Sequence, residues 1–231
     1  MVDDPPPRRL VTIDDRELAM RCAHGRVVLI DDDDEIRHAY ATLIELEGYA
    51  CEPYASARVF LAALCENRPR FPGPCCVLSD VSMPEMDGLE LQRQLARYRD
   101  APLILISGSS GAAEAATGFR AGALDFLIKP VDADTLLATV ARALALSTDR
   151  RQARERQTDL AVRIATLTER EREVARWVAD GWTNRQIGEA LGIVERTVKL
   201  HRQHAMEKLG AATLADLVRL VDAAGCYSLR T

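Results

Sequence analysis

No window of this sequence holds the roughly 18 uninterrupted apolar residues that a membrane helix needs. The opening run, Met1-Val2-Asp3-Asp4-Pro5-Pro6-Pro7-Arg8-Arg9, lacks the apolar core of a secretory signal. Six cysteines (22, 51, 65, 75, 76 and 226) form no Cys-x-x-Cys pair and no metal-ligand spacing. With no export signal there is no oxidising compartment to favour disulfides, so reduced thiols and a cytoplasmic location are expected, with no membrane partner.

Length and composition suit one large or two small domains, and 48% hydrophobic residues can fill real cores. Charge is unevenly placed. Residues 1–146 carry 15 Lys and Arg against 23 Asp and Glu, net −8, whereas residues 147–231 carry 15 against 12, net +3. An acidic front and a basic back point to two domains, with any polyanion meeting the second.

Residues 1–25 show no clear periodicity and read as a disordered arm, with one helical turn near Glu17 to Cys22. From Arg26 strand and helix alternate. Val27–Ile30, Ala50–Tyr54, the run ending at Asp80, Leu103–Ile106 and Ala123–Ile128 read as strands. Between and after them, Glu35–Glu47, Ala57–Cys65, Leu89–Tyr98, Ala112–Ala121 and Asp132–Leu146 read as helices. Arg68–Pro74 is a Pro-rich loop. Five such units predict an α/β domain over 26–146, a parallel sheet with helices on both faces. Residues 147–167 contain neither Gly nor Pro and predict a helical linker. Leu146, Ala153, Leu160 and Leu167 recur every seven residues in it, the spacing of a paired helix, although the companion positions Arg150 and Gln157 are polar. Residues 168–231 read as all-helical: Glu169–Ala179, Asn184–Leu191, Glu195–Leu209 and Leu214–Ala223. Thr168-x-x-Glu171 and Thr183-x-x-Gln186 both match the capping box.

In an open parallel sheet the strand C-termini share one edge, where ligands bind. Asp31 and Asp32 follow the first strand, Asp80 ends the third, Ser107 the fourth and Lys129 the fifth. Three clustered carboxylates repel one another unless a cation joins them, and a hard oxygen-seeking ion such as Mg²⁺ suits them. Asp80 can then attack a phosphoryl group in line while the ion and Lys129 offset charge on the transferring oxygens. Ser107 can donate to those oxygens. The competing reading of Asp31–Asp34 is an acidic cap on the next helix. An aspartate-dependent phosphohydrolase would want a D-x-D-G-T-like run after the first strand. Asp32-Asp33-Asp34-Glu35 lacks the Gly-Thr, so a phosphoryl acceptor is expected rather than a turnover enzyme.

Residues 26–146 resemble a CheY-like, flavodoxin-like receiver domain of a two-component response regulator. The resemblance rests on Ile30-Asp31-Asp32, on Ser79-Asp80-x-x-Met83-Pro84-x-x-Asp87-Gly88, on Ser107-Gly108, and on Ala121-Gly122-Ala123-x-x-Phe126-x-x-Lys129-Pro130. It implies Asp80 as phosphoacceptor, Asp31 and Asp32 as the metal-binding pair, the Ser82 carbonyl as a further ligand, and Ser107 with Phe126 as the switch pair. A sensor histidine kinase is the implied partner. Four consecutive aspartates leave the register of the pair open by one; Arg37, five after Asp32, matches the family spacing for Asp31/Asp32.

Residues 168–225 resemble the LuxR-type helix-turn-helix, carried by Leu167-Thr168-x-Arg170-Glu171-x-Glu173-Val174, Asn184-x-x-Ile187-Gly188 and Arg196-Thr197-Val198-Lys199-x-His201. Together the two halves resemble the FixJ/NarL regulators, which implies binding to double-stranded promoter DNA and a homodimer formed on phosphorylation or through the linker helix. At about 3.6 residues per turn, Val198, Ala205 and Leu209 share one face of the third helix. Arg196, Leu200, Gln203 and Glu207 face the other way, with Lys199 on the flank. Lys199 and Gln203 suit base edges and Leu200 a thymine methyl. Thr183, Asn184, Arg196 and Arg202 suit phosphates, with Arg202 alternatively a snorkelling core-edge side chain. Thr197 belongs to the same motif. Val194 departs from the family's Ser/Thr cap.

Overall fold

A computed structural model describes residues 25–66, 73–96, 98, 100–108 and 112–225. The expected arm before Gly25, with its helical turn, and residues 68–72 of the Pro-rich loop lie outside the described residues. The chain divides into two compact units between Gln152 and Ala153. Among the described residues, no helix is long and apolar enough to cross a membrane.

In the first unit, β1 (Arg26–Ile30), α1 (Asp34–Leu46), β2 (Ala50–Tyr54), α2 (Ala57–Glu66), β3 (Cys75–Asp80), α3 (Gly88–Leu95), β4 (Leu103–Ser107), α4 (Ala112–Arg120) and β5 (Asp125–Ile128) alternate, followed by α5 (Ala133–Ala165), which belongs to this unit up to Gln152. The five strands are all parallel, in the order β2-β1-β3-β4-β5. The alternation predicts the parallel sheet, and this strand order is the doubly wound, CheY-like one that the resemblance implies. Strand side chains alternate between two cores. Leu29, Leu78, Ile104 and Ile106 meet Ile44 of α1 and Leu136, Val140 and Leu144 of α5 on one face. Val28, Ile30, Val77 and Leu105 meet Phe60 of α2 and Leu91 of α3 on the other. Burial on both faces is why β3 and β4 are continuous apolar runs rather than alternating ones.

Most boundaries shift by a residue or two from the sequence reading, and two of the shifts have a visible cause. β5 starts at Asp125 rather than Ala123, because Gly122 turns at φ +96° and the Ala123 N–H still closes α4 on the Gly118 carbonyl at 3.0 Å. α3 stops at Leu95 rather than Tyr98, whose N–H makes a tight 2.7 Å turn onto the Leu95 carbonyl.

α5 is one helix of 33 residues, and residues 147–167 are shared out between the units. Ser147, fully buried, accepts from the Cys75 N–H at 3.0 Å and donates to the Asp100 carbonyl at 2.5 Å, both in the first unit. Leu160, Ile164 and Leu167 pack into the core of the second. The seven-residue seam therefore has an outlet other than a second helix: Leu160 and Leu167 are spent within their own unit.

The second unit adds α6 (Glu169–Ala179), α7 (Asn184–Leu191), α8 (Glu195–Leu209) and α9 (Leu214–Gly225) around Val174, Ile187, Val198, Ala205, Leu209 and Leu217. Thr168 and Thr183 each form the reciprocal capping box with Glu171 and Gln186. Gly192 ends α7 in the left-handed region at φ +66°. At Gly188 a Cβ would stand 2.7 Å from the Ile193 carbonyl, so its absence lets the turn fold back onto α7. Glu171, 4% exposed, ties α6 to α8: one carboxylate oxygen accepts from the Thr168 N–H at 2.8 Å and from Lys208 Nζ at 2.6 Å. Burial works to raise its pKa, but those bonds outweigh it and hold the carboxyl below the ordinary value.

Candidate functional site

Asp31, Asp80 and Ser107 sit where β1, β3 and β4 end, and Lys129 follows β5. Parallel register brings these ends to one edge: Ile30 pairs with Ser79, Asp80 with Ile106, and Ser107 with Ile128. Asp31 is 1% and Asp80 8% exposed, while Asp32 is open to solvent. One carboxylate oxygen from each of the three lies within 4.8 Å of the others. Lys129 Nζ bridges two of them, donating to Asp31 Oδ2 and to Asp80 Oδ2, each at 2.8 Å. The remaining oxygens are also engaged. Asp31 Oδ1 accepts from the Asp33 N–H at 2.9 Å, and Asp80 Oδ1 from the Ser82 N–H at 3.3 Å.

Burial raises the pKa of Asp31 against the pull of Lys129. For Lys129, burial disfavours the ammonium, but bonds to Asp31 and Asp80 prevail and raise its pKa, so the amine stays protonated at neutral pH. The result is a desolvated, negatively charged notch with one fixed cation. Asp31, Asp32 and Asp80 each bring a carboxylate oxygen to it, the donor type a hard divalent ion prefers.

The four-aspartate run divides its labour. Asp33 is the N-cap of α1, its side chain accepting from the Glu35 and Ile36 amides. Asp34 pairs with Arg37. The helix-cap reading thus describes Asp33, and Asp31 and Asp32 are left facing Asp80. Arg37 does more than mark a register, since its Nη1 donates to the Asp31 carbonyl at 2.7 Å.

Ser107 is fully buried, and its carbonyl accepts from the Lys129 N–H at 2.8 Å. Phe126 pairs with Leu105 in the β4–β5 register, so Phe126 and Ser107 share a sheet face. The ring is half-buried against the α2–α3 core.

Two contributors escaped the sequence reading. Asp87 and Gly88 enter the sequence reading as motif residues, but Asp87 caps α3, accepting from the Glu90 N–H at 2.6 Å. A Cβ on Gly88 would stand 2.6 Å from the Asp80 carbonyl, so the missing side chain lets α3 start against the end of β3. A capped Asp-Gly before an amphipathic run was the available signal. Tyr40 of α1 had none. Burial raises its phenol, and Lys129, Asp31 and Asp80 lie near enough to act on it.

In the second unit the structure gathers the candidate DNA contacts on and beside α8. Val198, Ala205 and Leu209 are buried. Arg196, Lys199, Leu200 and Gln203 are exposed, and Thr197 is half-buried on the same helix. Thr183 and Asn184 open α7, and Arg202 Nη1 reaches Asn184 Oδ1 at 3.4 Å. Two surface partners hold the outer face in order: Lys199 Nζ lies 3.3 Å from Glu195, and Gln203 Nε2 donates to Glu207 at 2.9 Å. Val194 starts α8 without a side-chain cap. Cys51, Cys65 and Cys75 are free thiols.

Comparison with known proteins agrees with this geometry in both units. Residues 27–141 match the response regulator receiver domain family, and residues 165–221 match the bacterial regulatory proteins of the luxR family. The response regulator protein TodT of Pseudomonas putida is 36% identical over 198 residues, 85% of each chain. The transcriptional regulatory protein FixJ of Azorhizobium caulinodans is 37% identical over 200 residues, 86% of this chain and 92% of that one. Among solved structures, the response regulator StyR superposes with a TM-score of 0.76 at 36% identity, over 86% of this chain and 98% of that chain.

Proposed function

We propose, since the chain belongs to the transcriptional response regulators that join a receiver domain to a LuxR-type DNA-binding domain, that Asp80 is the residue a partner histidine kinase phosphorylates. The observation that carries this is the ammonium of Lys129 held between Asp31 and Asp80 beside exposed Asp32.

An Asp80 carboxylate oxygen attacks the phosphorus in line. The bond from phosphorus to the kinase's histidine nitrogen breaks, and an acyl phosphate forms. Lys129 is already within hydrogen-bond distance of Asp80 and offsets charge on the transferring oxygens without reorganising. Asp31, Asp32 and Asp80, with the Ser82 carbonyl, would hold Mg²⁺, which supplies further neutralisation of those oxygens. Ser107 then donates to the phosphoryl group, and Phe126, on the same sheet face, turns toward the space it leaves. Because the phosphoryl group stays on Asp80, the protein is acceptor rather than turnover enzyme.

The output is α8 in the major groove of promoter DNA. Lys199 and Gln203 read base edges, Leu200 meets thymine methyls, and Thr183, Asn184, Arg196 and Arg202 hold phosphates. Thr197, in the first turn of α8, completes this surface. Phosphorylation favours a symmetric dimer, and two linked modules on two half-sites gain affinity through effective concentration.

Incubation with acetyl phosphate and Mg²⁺, followed by intact mass and light scattering, tests both steps. DNA binding is measured on a duplex selected by the protein from a random pool. One added phosphoryl group, a larger mass in solution and tighter binding are expected. An unphosphorylated product in the presence of donor and ion overturns the assignment of the site.

A further inference from the structure

Gln92 of α3 is 5% exposed, between the buried residues Leu91 and Leu95. Its Nε2 donates to the Gly118 carbonyl of α4 at 2.9 Å, while its Oε1 is buried without a hydrogen-bond partner. An apolar side chain would fill this space without leaving an acceptor orphaned, and half-satisfied buried amides are disfavoured. The amide therefore serves as a link between two helices more than as packing.

Gly118 is where that link has consequences. A Cβ there would stand 2.9 Å from Leu105 Cδ1 and 3.7 Å from Phe126 Cδ2. The α4 backbone thus rests on Phe126 and on the residue two before Ser107 in β4. Any turn of the Phe126 ring changes the floor under Gly118. The Gly118 carbonyl also accepts from the Ala123 N–H at 3.0 Å, so the same atom terminates α4.

We infer that Gln92 is a positioning residue: its bond to Gly118 holds α4 in the arrangement of the unphosphorylated chain and is released when the Phe126 side of the sheet rearranges. The orphaned Oε1 makes the held state less favourable than a fully paired one, so the latch is a weak one that a local change can open. This rests on the reading of Asp80 and Phe126 given above.

The test has a wild-type arm and a variant arm, both on the full chain. In wild type, the Gln92 side-chain amide protons should exchange slowly without phosphodonor and faster with acetyl phosphate and Mg²⁺. Equal protection in both conditions, with the mass gain confirmed, overturns the latch. Gln92→Met keeps the side-chain length and removes the bond. Without phosphodonor it should bind the selected duplex roughly three- to tenfold more tightly than wild type, the population shift one net hydrogen bond allows. A residue that merely supported the fold would weaken binding or leave it alone, and either result overturns the proposal. If wild type gains no mass from the donor, the reading of Asp80 fails. Gln92→Met then still decides whether Gln92 restrains α4, through faster exchange of the Ala123 amide.

Discussion

The two units handle charge in opposite ways. The first buries it: Asp31 and Asp80 are withdrawn from water and share one lysine. The second leaves it outside, with Arg196 and Lys199 exposed on α8 and Lys199 paired with Glu195 one helical turn away. Chemistry on a phosphoryl group gains from desolvated, pre-aimed charges, because no solvent or side chain must reorganise when charge moves. Reading DNA needs groups that can reach into a groove and exchange counterions. The one buried carboxylate among the described residues of the second unit, Glu171, is structural, holding α6 to α8 so that the exposed face is presented by a fixed helix.

If the contrast holds, substitutions in the first unit act as switches and those in the second as gradations. The largest effect is total. Asp80→Asn should give no phosphoryl adduct by intact mass, while leaving DNA binding without phosphodonor unchanged. Next, Asp32→Ala, or chelation of divalent ions, should slow adduct formation by about two orders of magnitude or more, as expected when several kcal/mol of charge stabilisation are lost. Undiminished labelling would mean that the three carboxylates serve only the fold.

In the second unit, Glu171→Gln should cost about 1–3 kcal/mol of stability by thermal unfolding, because the buried side chain loses the charge that holds exposed Lys208. The sign of the pH effect follows from the lowered pKa. The contribution of Glu171 is complete above the ordinary value of 4.5 and disappears as pH falls through the lower folded value. Wild type should therefore lose more stability than Glu171→Gln on acidification below about 4.5. A parallel decline of both proteins would assign the acid sensitivity elsewhere. Lys199→Ala should weaken specific DNA binding by about 1–3 kcal/mol if the ammonium reads a base. An equal loss on random DNA would make it a phosphate contact. The smallest effect is a gain: Val194→Thr supplies the missing cap of α8 and should raise stability by roughly 1 kcal/mol.

Much of this was legible beforehand because the signals are local. The α6, α7 and α8 boundaries coincide with the sequence reading, since each start is marked by a residue that must satisfy free amides or by its conspicuous lack, as at Val194. The three central strands, β1, β3 and β4, were legible because burial on both faces demands apolar runs. The edge where the acids gather followed from the alternation, whereas the strand order was implied only by the receiver resemblance. The half-turn at Gly122 that delays β5 was less visible, because a helix C-terminal bond and a strand start compete for Ala123.

What the sequence determined by itself is the list of chemical groups and the end of each element that carries them. Periodicity and capping depend on residues three or four apart, and those travel with the chain. Only the tertiary structure decided how those groups were shared. Lys129 bonds partners 98 and 49 residues away. Four adjacent aspartates separated into two site residues, a cap and an ion pair. Leu160 and Leu167 turned inward to their own core, and Gln92 was buried beneath α4. These outcomes depend on which surfaces meet once the sheet and the helices close, and no local pattern encodes a contact between residues so far apart.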